Sequence, residues 1–208
     1  MKKAKPLWMG ARKTLTRSNA INEYVVLRLR TEEINRLDYL LKGLKYKRIG
    51  LPEGSPYSTE DLADSVRTCF FGWFASLTDV NHRAVYAFNS LLILFPERRA
   101  KIINVQVSLE ACREQLQQFR NNVAFHARAD ITAHIQARKE LQDSDTFPDL
   151  LFAIKSFKKL MDDLINEELK AIPELPTALE QLNVIHHPIF SRYKQSVTSE
   201  ARPPRDAE

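Results

Sequence analysis

Residues 119–126 read F-R-N-N-V-A-F-H, a string that places an arginine, two amides and a histidine within one short stretch. His126 is the residue type that moves protons near neutral pH. Arg120 offers a planar fork of donors matched to two oxygens of a phosphate, and Asn121 adds a neutral donor beside it. Together these groups meet the needs of phosphodiester cleavage through a neighbouring hydroxyl: a proton acceptor, a proton donor and a counter-charge for the phosphorane, with no metal or other cofactor required. Five residues separate Arg120 from His126. On an ideal helix that separation is a rotation of about 240° and a rise of about 9 Å, so the two side chains of one chain do not converge. A break in the helix, or a second copy related by symmetry, has to bring them together. A purely structural reading of the same residues has His126 half-buried at the end of an apolar stripe, bonded by Asn122 or Asp130, and Arg120 facing water. His126, Asp130 and His134 also recur at four-residue steps. Such steps can present imidazole and carboxylate to a divalent cation, but three in a row rarely converge on one ion, and no metal site is expected.

The string resembles the Arg-x4-6-His signature of the HEPN family of small helical-bundle proteins. The likeness includes the polar residue directly after the arginine and the motif's place near the end of a late helix with one more strong helix behind it. As architecture it covers residues 60–170, and as sequence only the string itself. It implies an RNA-cleaving or RNA-binding bundle that works as a homodimer, its two motifs facing each other across the two-fold axis. Many members are toxins or defence factors held in check by a protein regulator or antitoxin. On this resemblance Arg120, Asn121 and His126 are the catalytic residues of a metal-independent endoribonuclease, and RNA is the partner.

The elements that must position these residues are helical. The chain of 208 residues has 44% apolar residues and only five glycines, and the stretches between prolines are rich in Leu, Ala, Glu, Lys, Gln and Arg, which lose least on entering a helix. Thr31, as an N-cap before Glu32 and Glu33, predicts a helix from 32 to 45 with Ile34, Leu37, Leu41 and Leu44 inward. Pro52, Gly54 and Pro56 predict a loop, after which Ser58 or Thr59 caps a helix with an aromatic stripe through Leu62, Val66, Cys69, Phe70, Trp73, Phe74 and Leu77. A helix from Arg83 to Phe95 stops at Pro96. Ser108 suits the cap of the motif helix, which keeps Leu109, Cys112, Leu116, Phe119, Val123 and His126 on one face. Leu150 to Leu169 form a last amphipathic helix with Leu151, Ile154, Phe157, Leu160, Met161, Leu164 and Ile165 inward.

The expected architecture is therefore all-α: a basic flexible arm over residues 1–20, a helical bundle over 21–172, and an extended, proline-containing strap and disordered tail over 173–208. The arm carries Lys2, Lys3, Lys5, Arg12, Lys13 and Arg17 and no acid, which leaves the rest of a chain of net charge +5 close to neutral. Such an arm can bind nucleic acid or simply be solvated. His186 and His187, before Pro188, are expected to pack or cap within the strap. Cys69 and Cys112 show no metal-ligand spacing and are expected as reduced thiols. The basic start is not followed by an apolar run, and the most apolar stretches fall short of the ~20 residues of a membrane span. The expectation is a cytoplasmic protein with no membrane partner.

Two readings of other classes compete. Residues 24–72 run from Y-V-V-L-R-L-R, which periodicity leaves open between strand and helix, into two capped helices. That order is similar to ribbon-helix-helix DNA-binding domains, in which strand residues, here Arg28 and Arg30, read bases in the major groove. The long Lys45 to Tyr57 connection departs from that family's short turn. The third reading is a non-catalytic helical interaction protein.

Overall fold

The first helix starts where Thr16, in an extended conformation, turns its hydroxyl back to accept the backbone N–H of Asn19 at 3.2 Å. In this computed structural model, which describes residues 15–78, 84–121, 139 and 147–193, α1 then runs unbroken over Arg17–Lys45. Two expectations are corrected here. Residues 17–20 belong to α1 rather than to a flexible arm, and Thr31 is no cap: it is buried mid-helix, and its hydroxyl donates to the Leu27 carbonyl at 2.8 Å. Tyr24 to Arg30 are helical, so the strand that a ribbon-helix-helix domain needs is not there, and no strand occurs among the described residues.

The helix α2, Thr59–Leu77, begins as the sequence predicts. Ser58 Oγ accepts the Asp61 N–H at 3.0 Å, and the Asp61 carboxylate accepts the Ser58 N–H at 2.8 Å, a reciprocal box that satisfies two donors the helix would otherwise leave open. Ser58→Ala is expected to lower the free energy of unfolding by about 1 kcal/mol, read as a shifted urea midpoint at constant slope. Then come α3 (Ala84–Leu94), a 3-10 turn over Pro96–Arg98, α4 (Arg99–Ala111) and α5 (Arg113–Phe119). Beyond these lie α6 (Phe147–Ala171), α7 (Leu175–Gln181) and a second 3-10 turn over Pro188–Tyr193. Ser108 lies inside α4, its hydroxyl donating to the Asn104 carbonyl at 2.9 Å, so the helix break falls at Cys112 and not before Leu109.

Packing follows the apolar faces. α1 lies against α3 and α2, α4 against α6, and α5 against α2. The centre is aromatic: the Phe157 ring of α6 meets Phe74 and Trp73 of α2, each with centroids 5.8 Å apart, and Phe88 of α3 at 6.4 Å. These are edge-on or tilted contacts of the kind the ring quadrupole favours. On α6 the buried stripe is Leu150, Ala153, Ile154, Phe157, Leu160, Met161 and Leu164, whereas Leu151, expected inward, is exposed, and so is Phe152. Cys69, also expected in the core, faces water, while Cys112 is buried, and both are free thiols.

At the far end of α6 a single carboxylate joins three parts of the chain. Glu168 is fully buried and accepts the Tyr24 hydroxyl of α1 at 2.5 Å, and it also accepts the Tyr193 hydroxyl and the Arg192 guanidinium from the C-terminal 3-10 turn. The buried Arg28 Nε lies 3.8 Å from it, too far for a hydrogen bond. Burial, then the charge of Glu168, pushes the Tyr24 phenol well above its ordinary value, and burial with the Glu168 bond does the same for Tyr193. The segment after residue 172 is therefore not an extended strap through Tyr193: α7 and the second turn seat Leu175, Leu179, Phe190 and Tyr193 in the core. The His187 Nδ1 accepts the Ile189 N–H at 3.4 Å, and its ring stands 6.3 Å from Phe190, so His187 packs and caps as expected, whereas His186 is exposed.

Candidate functional site

The motif helix is held to the bundle by its apolar seam and by one amide. Leu109, Cys112, Leu116 and Phe119 are all buried, as their spacing predicts. Gln117 Nε2 donates to the Ala75 carbonyl at 3.1 Å and to Thr78 Oγ1 at 3.3 Å, covering a carbonyl at the open end of α2. One residue before Arg120, the Phe119 ring packs edge-on against Phe71 at 5.8 Å. Seam and amide together fix where α5 ends.

At that end the helix widens. Arg120 keeps right-handed helical angles, φ −56° and ψ −49°, but Arg120 and Asn121 lie in a π-type turn, with Arg120 partly buried and Asn121 exposed. Single π turns inside helices are uncommon and concentrate at functional sites, because the wider ring sacrifices helix geometry to re-aim side chains. The regular α register of α5 thus ends before Arg120. His126, Asp130 and His134 lie outside the described residues, as do Lys2, Lys3, Lys5, Arg12 and Lys13. Among the described residues no cluster of His, Cys, Asp or Glu is able to hold a metal ion.

Arg17, the one described residue of the expected basic set, is held in an exposed ion pair. Its guanidinium donates to both carboxylate oxygens of Glu174, at 2.9 and 3.1 Å, and to the Ala171 carbonyl at 3.0 Å, tying the start of α1 to the end of α6. The Glu174 carboxyl is held below its ordinary value by the hydrogen bond from Arg17. Arg28, the base-reading candidate of the ribbon reading, is turned inward beside Glu168.

A groove of about 790 Å³ between α1, α2 and α6 was not anticipated. Phe70, Phe71, Phe147 and Ile154 form its apolar floor, and Lys42, Arg67, Lys155, Lys158 and Lys159 face Asp38 and Asp162 around its rim. Burial of Asp38 would raise its carboxyl, but hydrogen bonds from Lys158 and Lys42 outweigh that and hold it below its ordinary value. Phe71 belongs both to this floor and to the seat of Phe119, so the groove lies one ring away from the Arg120 turn. The signal was present in the sequence as K-S-F-K-K over residues 155–159, but its partners come from α1 and α2 and no local pattern joins them. Among the described residues no helix is long and apolar enough to cross a membrane. Comparison with protein-family models, with curated proteins and with solved structures gives no match to this chain.

Proposed function

We propose that this protein is an RNA-acting helical bundle of the HEPN kind, a homodimer that cuts RNA without a metal through Arg120, Asn121 and His126. The observation that carries the reading is the π turn at Arg120 and Asn121, seated on α2 by Phe119 and Gln117 and open to solvent at Asn121. A fork of donors on a packed support can hold a phosphate in one orientation, where the same side chain on a loop would not.

In the proposed reaction His126 takes the proton of the 2′-hydroxyl, whose oxygen attacks phosphorus. The bond from phosphorus to the 5′-oxygen breaks, and that oxygen leaves with a proton returned through water from the imidazolium so formed. Arg120 and Asn121 hold the non-bridging oxygens as charge grows on them. The products are a 2′,3′-cyclic phosphate and a free 5′-hydroxyl. The test is cleavage of a labelled RNA in EDTA by wild type, Arg120→Ala and His126→Ala, beside a copy of the RNA with 2′-deoxy sugars. Cutting of the RNA alone, by wild type alone, supports the reading. Cutting of the deoxy copy, or a folded wild type that leaves RNA intact, refutes it.

A further inference from the structure

We propose that the groove between α1, α2 and α6 is a channel for single-stranded RNA, in which Lys155 and Lys159 take backbone phosphates while the exposed Phe152 ring, on the α6 surface beside it, takes a base; this deepens the RNA reading above and rests on it. The rim of the groove is basic. Of the five basic side chains on the rim, Lys42 and Lys158 share Asp38 and Arg67 pairs with Asp64, which leaves Lys155 and Lys159 against Asp162. The excess is positive and lies over an apolar floor, where a polyanion's field is screened less than in open water.

An exposed ring lies beside these cations. Phe152 is 66% exposed, although α6 buries every other phenylalanine it carries in whole or part. It shares one stripe of α6 with Lys155 and Lys159, three and seven residues on. Aromatic faces interleaved with cations are how single-stranded nucleic acid is held without sequence preference, since every base has a face to stack. A duplex hides those faces, and an acidic peptide has none. The positive surface continues past Leu41 and Arg67 into a second hollow of about 810 Å³, where Lys45 and Lys47 face Glu60. Lys45, which lines that hollow, lies with Arg48 over the exposed Tyr46 ring, 5.9 and 5.7 Å from its centre, which repeats the pairing of cation and aromatic. At the inner side of the first groove the Phe71 floor leads to the Arg120 turn.

The test measures fluorescence anisotropy of a labelled 2′-O-methyl RNA of about 15 nucleotides, which cannot be cut through its 2′-oxygen. Lys155→Glu/Lys159→Glu is expected to weaken binding ~10-fold or more and to flatten its salt dependence. Phe152→Ala is expected to weaken it ~5-fold or more with an unchanged melting temperature. Arg36→Glu/Arg99→Glu reverses the same number of exposed cations away from the groove and should stay within about twofold of wild type. The proposal is overturned if the groove variants bind like wild type, if the control loses as much as they do, or if a polyglutamate peptide displaces the RNA and binds more tightly. Binding lost in the groove variants of a protein that never cuts RNA would keep the channel and remove the catalytic reading. Cutting that ignores the groove variants would do the reverse.

Discussion

Glu168→Ala is expected to remove about 3–5 kcal/mol of stability, because it takes the acceptor from two tyrosine hydroxyls and the Arg192 guanidinium at once and leaves the buried Arg28 with Glu32 as its remaining carboxylate. The carboxylate is the one acceptor that α1, α6 and the C-terminal turn share, so its loss also frees the segment holding Phe190 and Tyr193. The cost comes from leaving partners unpaired rather than from the worth of the cluster itself. Arg28→Met/Glu168→Met should therefore cost less than the sum of the two single substitutions. Urea unfolding followed by circular dichroism reads both, and a Glu168→Ala protein within about 0.5 kcal/mol of wild type would show that the network carries no stability. The phenols give the network a pH signature. Both Tyr24 and Tyr193 are raised in the folded protein, so the unfolded chain loses its phenolic protons first as pH climbs through about 10. Their stabilisation is fully present below that pH and falls as pH rises further. Tyr24→Phe should make the alkaline loss of stability shallower.

Arg120→Ala is expected to reduce RNA cleavage by roughly 10²–10⁴-fold, and His126→Ala by a similar factor, since each removes a group that acts only as charge and protons move in the transition state. Arg120→Lys should recover little, because an ammonium keeps the charge but not the two-pronged geometry. Mixing inactive Arg120→Ala with inactive His126→Ala provides a sharper readout. If Arg120 of one protomer works with His126 of the other, random exchange makes half the dimers mixed, each with one intact pair, and roughly a quarter of wild-type activity returns. No recovery after exchange would place both residues of a working pair in one chain.

The elements that a local pattern specifies completely were legible. Ser58 with Asp61 marks the start of α2, Pro96 the end of α3, and the run from Leu109 through Phe119 the face on which α5 packs. The start of α1 was not, because Thr31 before two glutamates is locally as good a cap as Thr16. What decides between them lies far along the chain: Glu168 gives Tyr24 and Arg28 a buried seat, and Glu174 holds Arg17, so the helix extends back over both. Prolines after residue 172 suggested an extended strap, but Pro176 sits in the first turn of α7, where it needs no N–H, and Pro188 opens the second 3-10 turn. Of the candidate site, the sequence marked the residues around Arg120 but not the π turn, which depends on the packing of Phe119 and Gln117 against α2. The groove was invisible for the same reason, its cations being contributed by three helices.

The most direct test of the central claim is cleavage of a labelled RNA in EDTA by wild type and Arg120→Ala, with the light-scattering mass and the thermal melt of each measured on the same samples. A dimeric wild type that cuts, beside an equally folded dimeric Arg120→Ala that does not, is the result this account predicts. A folded wild type that leaves RNA intact, or an Arg120→Ala protein that cuts as fast as wild type, would contradict it.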